Sequence, residues 1–218
     1  MSTGIEPQLV MFKNWTFRLH MPQEYSGRML LLLHGWMGDE NSMWMFVRNF
    51  STDIMMVSPR GVVPVREGGY SWRTIQPGTW GMATLKELRP AAEGMVSFLD
   101  DWTTSIGMKV DQFEVMGFSQ GAAFTYSLAS LFPARIRRFA ALSGFIPVDA
   151  QALFTPEQFS GKPVFISHGR QDEKIPIEQS RQAVRKLEAA GAKVSFCESD
   201  AGHKVSINCL KELEKFFR

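Results

Sequence analysis

A serine between two glycines stands where an apolar segment gives way to small residues. Residues 114–124 read EVMGFSQGAAF, which places Ser119 in a GxSxG pattern. A serine hydroxyl becomes an effective nucleophile when a histidine accepts its proton and an acid orients that histidine. Because five-residue patterns also arise by chance, the rest of the chain must supply both partners before this one predicts nucleophilic chemistry.

The histidine is expected after the serine, since a nucleophile elbow in an α/β sheet is followed by its acid and then its histidine. His203, in SDAGHKVS, lies between the last predicted strand and the last predicted helix, where a loop can carry an imidazole over the sheet. His20 falls in an early edge strand. His34 and His168 each end an apolar strand as HisGly, where a structural role in shaping the loop is expected.

The acid is predicted to be Asp172, which follows the apolar strand 164–166 in HGRQDEKIP. That position puts its carboxylate at the carboxyl end of a strand. Its rivals are Glu173, on the same turn, and Asp200, on the same loop as His203. The rivals are expected to be exposed or to cap a helix.

Acyl chemistry also needs hydrogen-bond donors for the oxyanion of a tetrahedral intermediate. The backbone N–H of Gln120, directly after the serine, is one predicted donor. The loop HGWMGDEN is predicted to supply the other from Trp36, with Gly35 and Gly38 allowing the backbone to turn inward. A simple connection between strand and helix is the alternative for this loop.

Short apolar runs separated by helical patterns predict the elements that would position these residues. The runs are 29–33, 54–57, 113–116, 139–142, 164–166 and 194–196, after an edge strand in which Trp15, Phe17 and Leu19 alternate with polar residues. Helices are predicted after an N-cap at Asn41 or Ser42 and over 90–106 (Pro90 in the first turn), 121–131, 177–190 and 205–217. The pattern predicts one α/β domain over residues 1–218, with a mostly parallel, doubly wound sheet and helices on both faces.

A long segment, Ser58 to Gly81, is rich in glycine and proline and is predicted to be a folded loop beside the site, without regular structure. Methionine and tryptophan are numerous, with 13 and 6 residues. Four of them are candidate walls of a substrate pocket, with core packing as the alternative: Trp36, Met37, Trp72 and Trp80.

Composition argues against several other classes of function. Lys plus Arg number 24 against 22 Asp plus Glu, scattered along the chain, so no nucleic-acid partner is expected. No apolar run has the length of a membrane span and the N-terminus lacks a signal-peptide pattern, which predicts a cytoplasmic protein without stable membrane insertion. Cys197 and Cys209 could in principle pair, but they are expected to be buried and reduced, and their spacing predicts no metal site.

Five segments in order resemble the α/β-hydrolase fold, and within it the phospholipase/carboxylesterase family of bacterial carboxylesterases and acyl-protein thioesterases. They are LLLHGWMGDE, SPRG with GGYSW, GFSQGAA, HGRQDEKIP and AGHKVS. The resemblance implies a nucleophile at Ser119, a base at His203, its acid at Asp172, and no cofactor. Two features depart from the pattern. HGWMGDE stands where acyl-protein thioesterases have an HGLGD-like run, so protein depalmitoylation is not carried over, and Ala122 stands where many family members have another glycine.

The segment from Phe145 to Lys162 is too short for a large cap domain, so an open site and short- to medium-chain carboxylic esters are expected. A thioesterase or lysophospholipase using the same residues remains open, as does a non-catalytic binding module. The expected partner is a small-molecule ester. The chain is expected to be a monomer or a homodimer.

Overall fold

The computed structural model describes residues 5–75 and 82–218. The strands are β1 Gln8–Phe12, β2 Trp15–His20, β3 Met29–Leu33, β4 Met55–Pro59, β5 Val63–Pro64, β6 Tyr70–Ser71, β7 Phe113–Phe118, β8 Ile136–Leu142, β9 Pro163–Gly169 and β10 Lys193–Ser199. The α-helices are α1 Leu85–Ser105, α2 Gln120–Leu131, α3 Pro156–Phe159, α4 Glu178–Ala189 and α5 Ile207–Phe217. Short 3-10 helices cover Trp44–Phe46 and Val148–Leu153.

The main sheet runs β1-β2-β4-β3-β7-β8-β9-β10 within the described residues. The pairs β1–β2 and β2–β4 are antiparallel, and every later neighbour in the order is parallel. The predicted α/β class with a mostly parallel sheet is therefore confirmed. The predicted edge strand at Trp15 is β2, and β1, which the sequence did not reveal, lies outside it.

Strand β3 illustrates why the central strands read as continuous apolar runs. Its five residues are all buried. Leu31 and Leu33 join the core that contains α1, α2 and α4, whereas Leu30 and Leu32 join a second core with α5. Because successive side chains point to opposite faces, a strand covered by helices on both sides must be apolar at every position.

The sheet order reverses direction between β3 and β7. From β3 the chain first adds β4 on one side, and then β7, β8, β9 and β10 on the other. In open α/β sheets such a reversal leaves a crevice at the carboxyl ends of the two strands, which is where ligands bind. The loop after β3 carries Trp36, and the turn after β7 carries Ser119.

Two predicted helix starts were wrong. No α-helix follows Asn41 or Ser42, where the structure has only the 3-10 helix Trp44–Phe46. Helix α1 begins five residues before Pro90, because Thr84 and Glu87 form a reciprocal capping box. Pro90 therefore lies inside the helix rather than in its first turn. The sequence TLKE contains the capping-box pattern, which is the stronger start signal here.

Two further expectations are corrected. The segment Ser58 to Gly81 contains regular structure, since β5 and β6 pair as a short antiparallel ribbon. Cys197 and Cys209 are joined in a disulfide that ties β10 to α5. The sequence suggested two reduced thiols, but the fold brings their Cα atoms within 5.7 Å. None of the helices in the described ranges has the length and apolar character needed to span a membrane.

Candidate active site

Ser119 occupies a strained turn between β7 and α2. Its φ of 56° and ψ of −116° are unusual for a residue with a side chain. A Cβ at Gly117 would lie 2.1 Å from the carbonyl oxygen of Gly121, and one at Gly121 would lie 2.1 Å from that of Leu33. Both glycines are thus required for the helix to approach the strands so closely. Strain of this kind costs about 1–3 kcal/mol and is typical of functional sites.

A chain of two hydrogen bonds links the predicted residues. Ser119 Oγ lies 2.9 Å from His203 Nε2, and His203 Nδ1 lies 2.7 Å from Asp172 Oδ2. Because an ionised carboxylate only accepts, His203 must carry its proton on Nδ1. Its Nε2 is then free to accept the serine proton. The three residues follow the carboxyl ends of β7, β9 and β10. These strands are far apart in the sequence, but their carboxyl ends lie at the same edge of the sheet.

The Asp172 side chain is completely buried and is held from both oxygens. Its Oδ1 accepts the backbone N–H groups of Lys174 and Ile175, at 2.9 and 3.0 Å. Its Oδ2 accepts from His203. The turn after β9 therefore fixes the carboxylate before any substrate is present.

His168 also contacts Asp172, which the sequence did not reveal. Its Nε2 lies 2.8 Å from Ile175 O and 3.2 Å from Asp172 Oδ2. Its Nδ1 lies 2.6 Å from the hydroxyl of Ser180. Burial lowers the pKa of His168, so the neutral ring is favoured. These contacts fit the structural role that was expected for His168 in the loop. The spacing of four residues between His168 and Asp172 was the only signal in the sequence for their contact.

The alternative residues lie elsewhere. Glu173 is exposed, and Asp200 is exposed and paired with Arg170 at 2.9 Å. His20 contacts the carbonyl oxygen of Thr52. His34 is buried, and its Nε2 accepts the N–H of Gly61 at 2.8 Å. Burial lowers the pKa of His34, which suits an acceptor in the loop rather than a base.

The loop after β3 passes directly beside the serine. A Cβ at Gly35 would lie 3.3 Å from the Cβ of Ser119. The N–H groups of Met37 and Gly38 donate to Tyr70 O and Gly35 O, so neither competes as an oxyanion donor. Trp36 stays the predicted donor from this loop. Gln120 is the first residue of α2, and its N–H therefore has no acceptor within the helix.

The candidate pocket residues differ in their surroundings. Met37 is 40% exposed and Trp36 is half-buried, and both belong to the loop after β3, whose Gly35 lies against Ser119. Trp72 is 1% exposed and stacks on Phe124 at 4.7 Å, which favours the core-packing alternative. Trp80 lies outside the described residues. Among those that are described, no cluster of His, Cys, Asp and Glu could hold a metal ion.

Almost the whole chain matches the model of a known protein family. The model for phospholipase/carboxylesterase matches residues 16–218. The chain belongs to this family. Family membership establishes the α/β-hydrolase fold and relates the chain to carboxylesterases and acyl-protein thioesterases, which are hydrolases.

Individual relatives of the family are distant. Carboxylesterase SOBER1 of Arabidopsis thaliana is 29% identical over 114 residues, a match that spans 51% of this chain and only 50% of the relative. Acyl-protein thioesterase 1 of Eremothecium gossypii is 28% identical over 168 residues, covering 71% of this chain and 69% of that protein. A solved carboxylesterase from Mesorhizobium loti superposes with a TM-score of 0.79 at 23% identity, covering 96% and 97% of the two chains, and supports the fold.

Proposed function

We propose that the protein is a serine carboxylesterase that hydrolyses short- to medium-chain carboxylic esters. The observation that carries the proposal is the hydrogen-bonded line from Ser119 through His203 to Asp172. It lies at the carboxyl ends of the strands in a chain of the phospholipase/carboxylesterase family. Carboxylesterases among the relatives make esters the first substrates to test.

In the proposed reaction, His203 Nε2 takes the proton of Ser119 as the serine oxygen attacks the ester carbonyl. The N–H groups of Trp36 and Gln120 stabilise the resulting oxyanion. The intermediate collapses by breaking the bond to the alcohol, which receives the proton from His203. Water then attacks the acyl-enzyme with His203 again as base, releasing the carboxylic acid and restoring the serine.

The preference for short and medium acyl chains is supported by the small segment that follows β8. Between Phe145 and Lys162 the described structure has the 3-10 helix Val148–Leu153 and the four-residue helix α3. No large cap domain is built there to enclose a long acyl chain. Met37, with 40% of its surface exposed, offers an apolar side chain in the loop after β3, whose Gly35 lies against Ser119.

A thioesterase is the second candidate, because one relative is an acyl-protein thioesterase and the same residues could attack a thioester carbonyl. Initial rates on p-nitrophenyl esters from acetate to palmitate, and on matched acyl thioesters, separate the two. We expect the highest kcat/KM on short or medium esters, and a loss of about 10⁴-fold or more in Ser119→Ala. Activity that survives Ser119→Ala would contradict the proposal.

The proposed enzyme needs no cofactor and acts on a small-molecule ester, as a monomer or a homodimer. We further propose a cytoplasmic location, supported by the lack of a membrane-spanning helix in the described residues. Because disulfides are rare in the cytosol, the redox state of Cys197 and Cys209 in the cell tests this location.

A further inference from the structure

The side chain of Gln120 has no part in the proposed chemistry, although its backbone N–H does. The residue is only 9% exposed. Its carboxamide points away from the helix axis of α2 toward the segment Tyr70–Trp72. A buried carboxamide offers two donors and an acceptor, and each must find a partner to avoid a desolvation penalty.

Its partners belong to the segment around β6. The Oε1 atom of Gln120 accepts the backbone N–H of Trp72 at 3.0 Å, and its Nε2 donates to Ser71 Oγ at 2.9 Å. The Ser71 hydroxyl in turn donates to Arg73 O at 2.7 Å. The carboxamide oxygen and one N–H of the carboxamide nitrogen thus each have a partner in this segment, and together they fix the orientation of the carboxamide.

The segment Tyr70–Trp72 is also hydrogen-bonded to the loop after β3. The N–H of Met37 donates to Tyr70 O at 3.0 Å, and the N–H of Tyr70 donates to Gly38 O at 2.9 Å. The indole of Trp72 donates to His34 O at 2.8 Å. These three bonds bracket Gly35 and Trp36 on both sides. Met37 has a φ of 63°, a conformation that needs support when the residue is not glycine.

We propose that the Gln120 side chain is a positioning residue that ties together the two halves of the oxyanion hole. One half is its own N–H at the start of α2. The other is the N–H of Trp36, in a loop that Gln120 holds indirectly through Ser71 and Trp72. This inference rests on the proposed function, because an oxyanion hole matters only if an acyl group is transferred.

Gln120→Met tests the side chain without removing the donor, since every residue at this position keeps its backbone N–H. Methionine has a similar length and forms neither hydrogen bond. Ser71→Ala removes the hydroxyl that accepts from the Gln120 carboxamide, and it replaces Gln120→Met as the test if that variant does not fold. Gln158→Met, on the exposed surface of α3, is the matched control.

The measurements are kcat and KM on the best ester, the inhibition constant of a trifluoromethyl ketone, and the melting temperature. The ketone adds to the serine as a hemiketal whose oxyanion occupies the oxyanion hole. We expect kcat to fall by about 10- to 100-fold in Gln120→Met and in Ser71→Ala, with KM little changed. The inhibition constant should rise by the same factor as kcat falls. Gln158→Met should match the wild type.

A purely structural role predicts something else: a lower melting temperature with kcat and ketone affinity intact. That result, in whichever of the two variants folds, would overturn the inference while leaving an active wild-type esterase. The inference would also be overturned if kcat/KM fell by the expected factor only because KM rose, with kcat unchanged. A folded wild-type protein that is inactive on every ester and thioester would instead overturn the proposed function, and this inference with it.

Discussion

His203 lies between the hydroxyl of Ser119 and the carboxylate of Asp172, and the carboxylate determines which ring nitrogen carries the proton. The carboxylate is itself fixed by backbone groups, since its Oδ1 accepts the N–H groups of Lys174 and Ile175. Its Oδ2 is left to face His203 at 2.7 Å. The turn after β9 thus determines which oxygen the histidine meets, and through it the nitrogen that faces Ser119.

Asp172→Asn is expected to lower kcat by about 10⁴-fold, the effect of the same substitution in a serine protease triad. The two backbone N–H groups hold the amide oxygen of the new side chain in the place of Oδ1. Its NH₂ then faces His203 Nδ1 and forces the proton to Nε2, where it blocks acceptance from Ser119. Steady-state rates on one ester measure the loss.

Asp200→Asn is the matched control, because Asp200 is exposed and pairs with Arg170. It should retain the wild-type rate. If Asp200→Asn loses activity and Asp172→Asn keeps it, the acid has been assigned to the wrong residue.

At the scale of elements, His203 is carried by the connection between β10 and α5. The disulfide between Cys197 and Cys209 closes this connection on itself, with a sequence separation of 12. Ser206 caps the helix by accepting the N–H of Cys209. The loop that carries His203 is therefore held at both ends, because the disulfide joins the strand before it to the helix after it.

The double substitution of Cys197→Ser and Cys209→Ser is expected to lower the free energy of unfolding by about 3 kcal/mol, because the unfolded chain regains the freedom of this loop. For a chain of this size that corresponds to about 6–12 °C in melting temperature. Thermal unfolding with and without dithiothreitol measures it, since the reductant should destabilise the wild type and leave the double variant unaffected.

A wild-type protein that contains two free thiols without reductant, and melts at the same temperature with it, would contradict the disulfide. The proposed cytoplasmic location has its own test, which is to trap thiols during cell lysis. A disulfide already present in the cell would contradict that location, because glutathione and thioredoxin keep thiols reduced in that compartment.

Across the whole molecule, the features that the sequence predicted are those with local signals. The apolar run of β3 and the small residues around Ser119 can be recognised without knowing what they contact. The chain order of parallel strands then brings their carboxyl ends to one edge, which is why Asp172 and His203 could be chosen from among several acids and histidines.

The features that the sequence did not predict depend on contacts between distant segments. The disulfide requires β10 and α5 to pack together, and the buried Trp72 requires α2 beneath it. The contact between Gln120 and Ser71 joins residues 49 positions apart. Strand β1 was missed for a different reason: its Leu9 and Met11 are exposed, at 53% and 77%, so the strand lacks the alternation of apolar and polar residues that would reveal its buried face.

The most direct measurement is covalent capture of the nucleophile with a fluorophosphonate, followed by intact mass and peptide mapping. An activated serine displaces fluoride from the reagent and keeps the phosphonyl group. We predict one adduct per chain, on Ser119, that is absent from Ser119→Ala and forms much more slowly in Asp172→Asn. A folded protein that forms no adduct, or one whose adduct lies on another residue, would contradict the assignment of Ser119 as nucleophile.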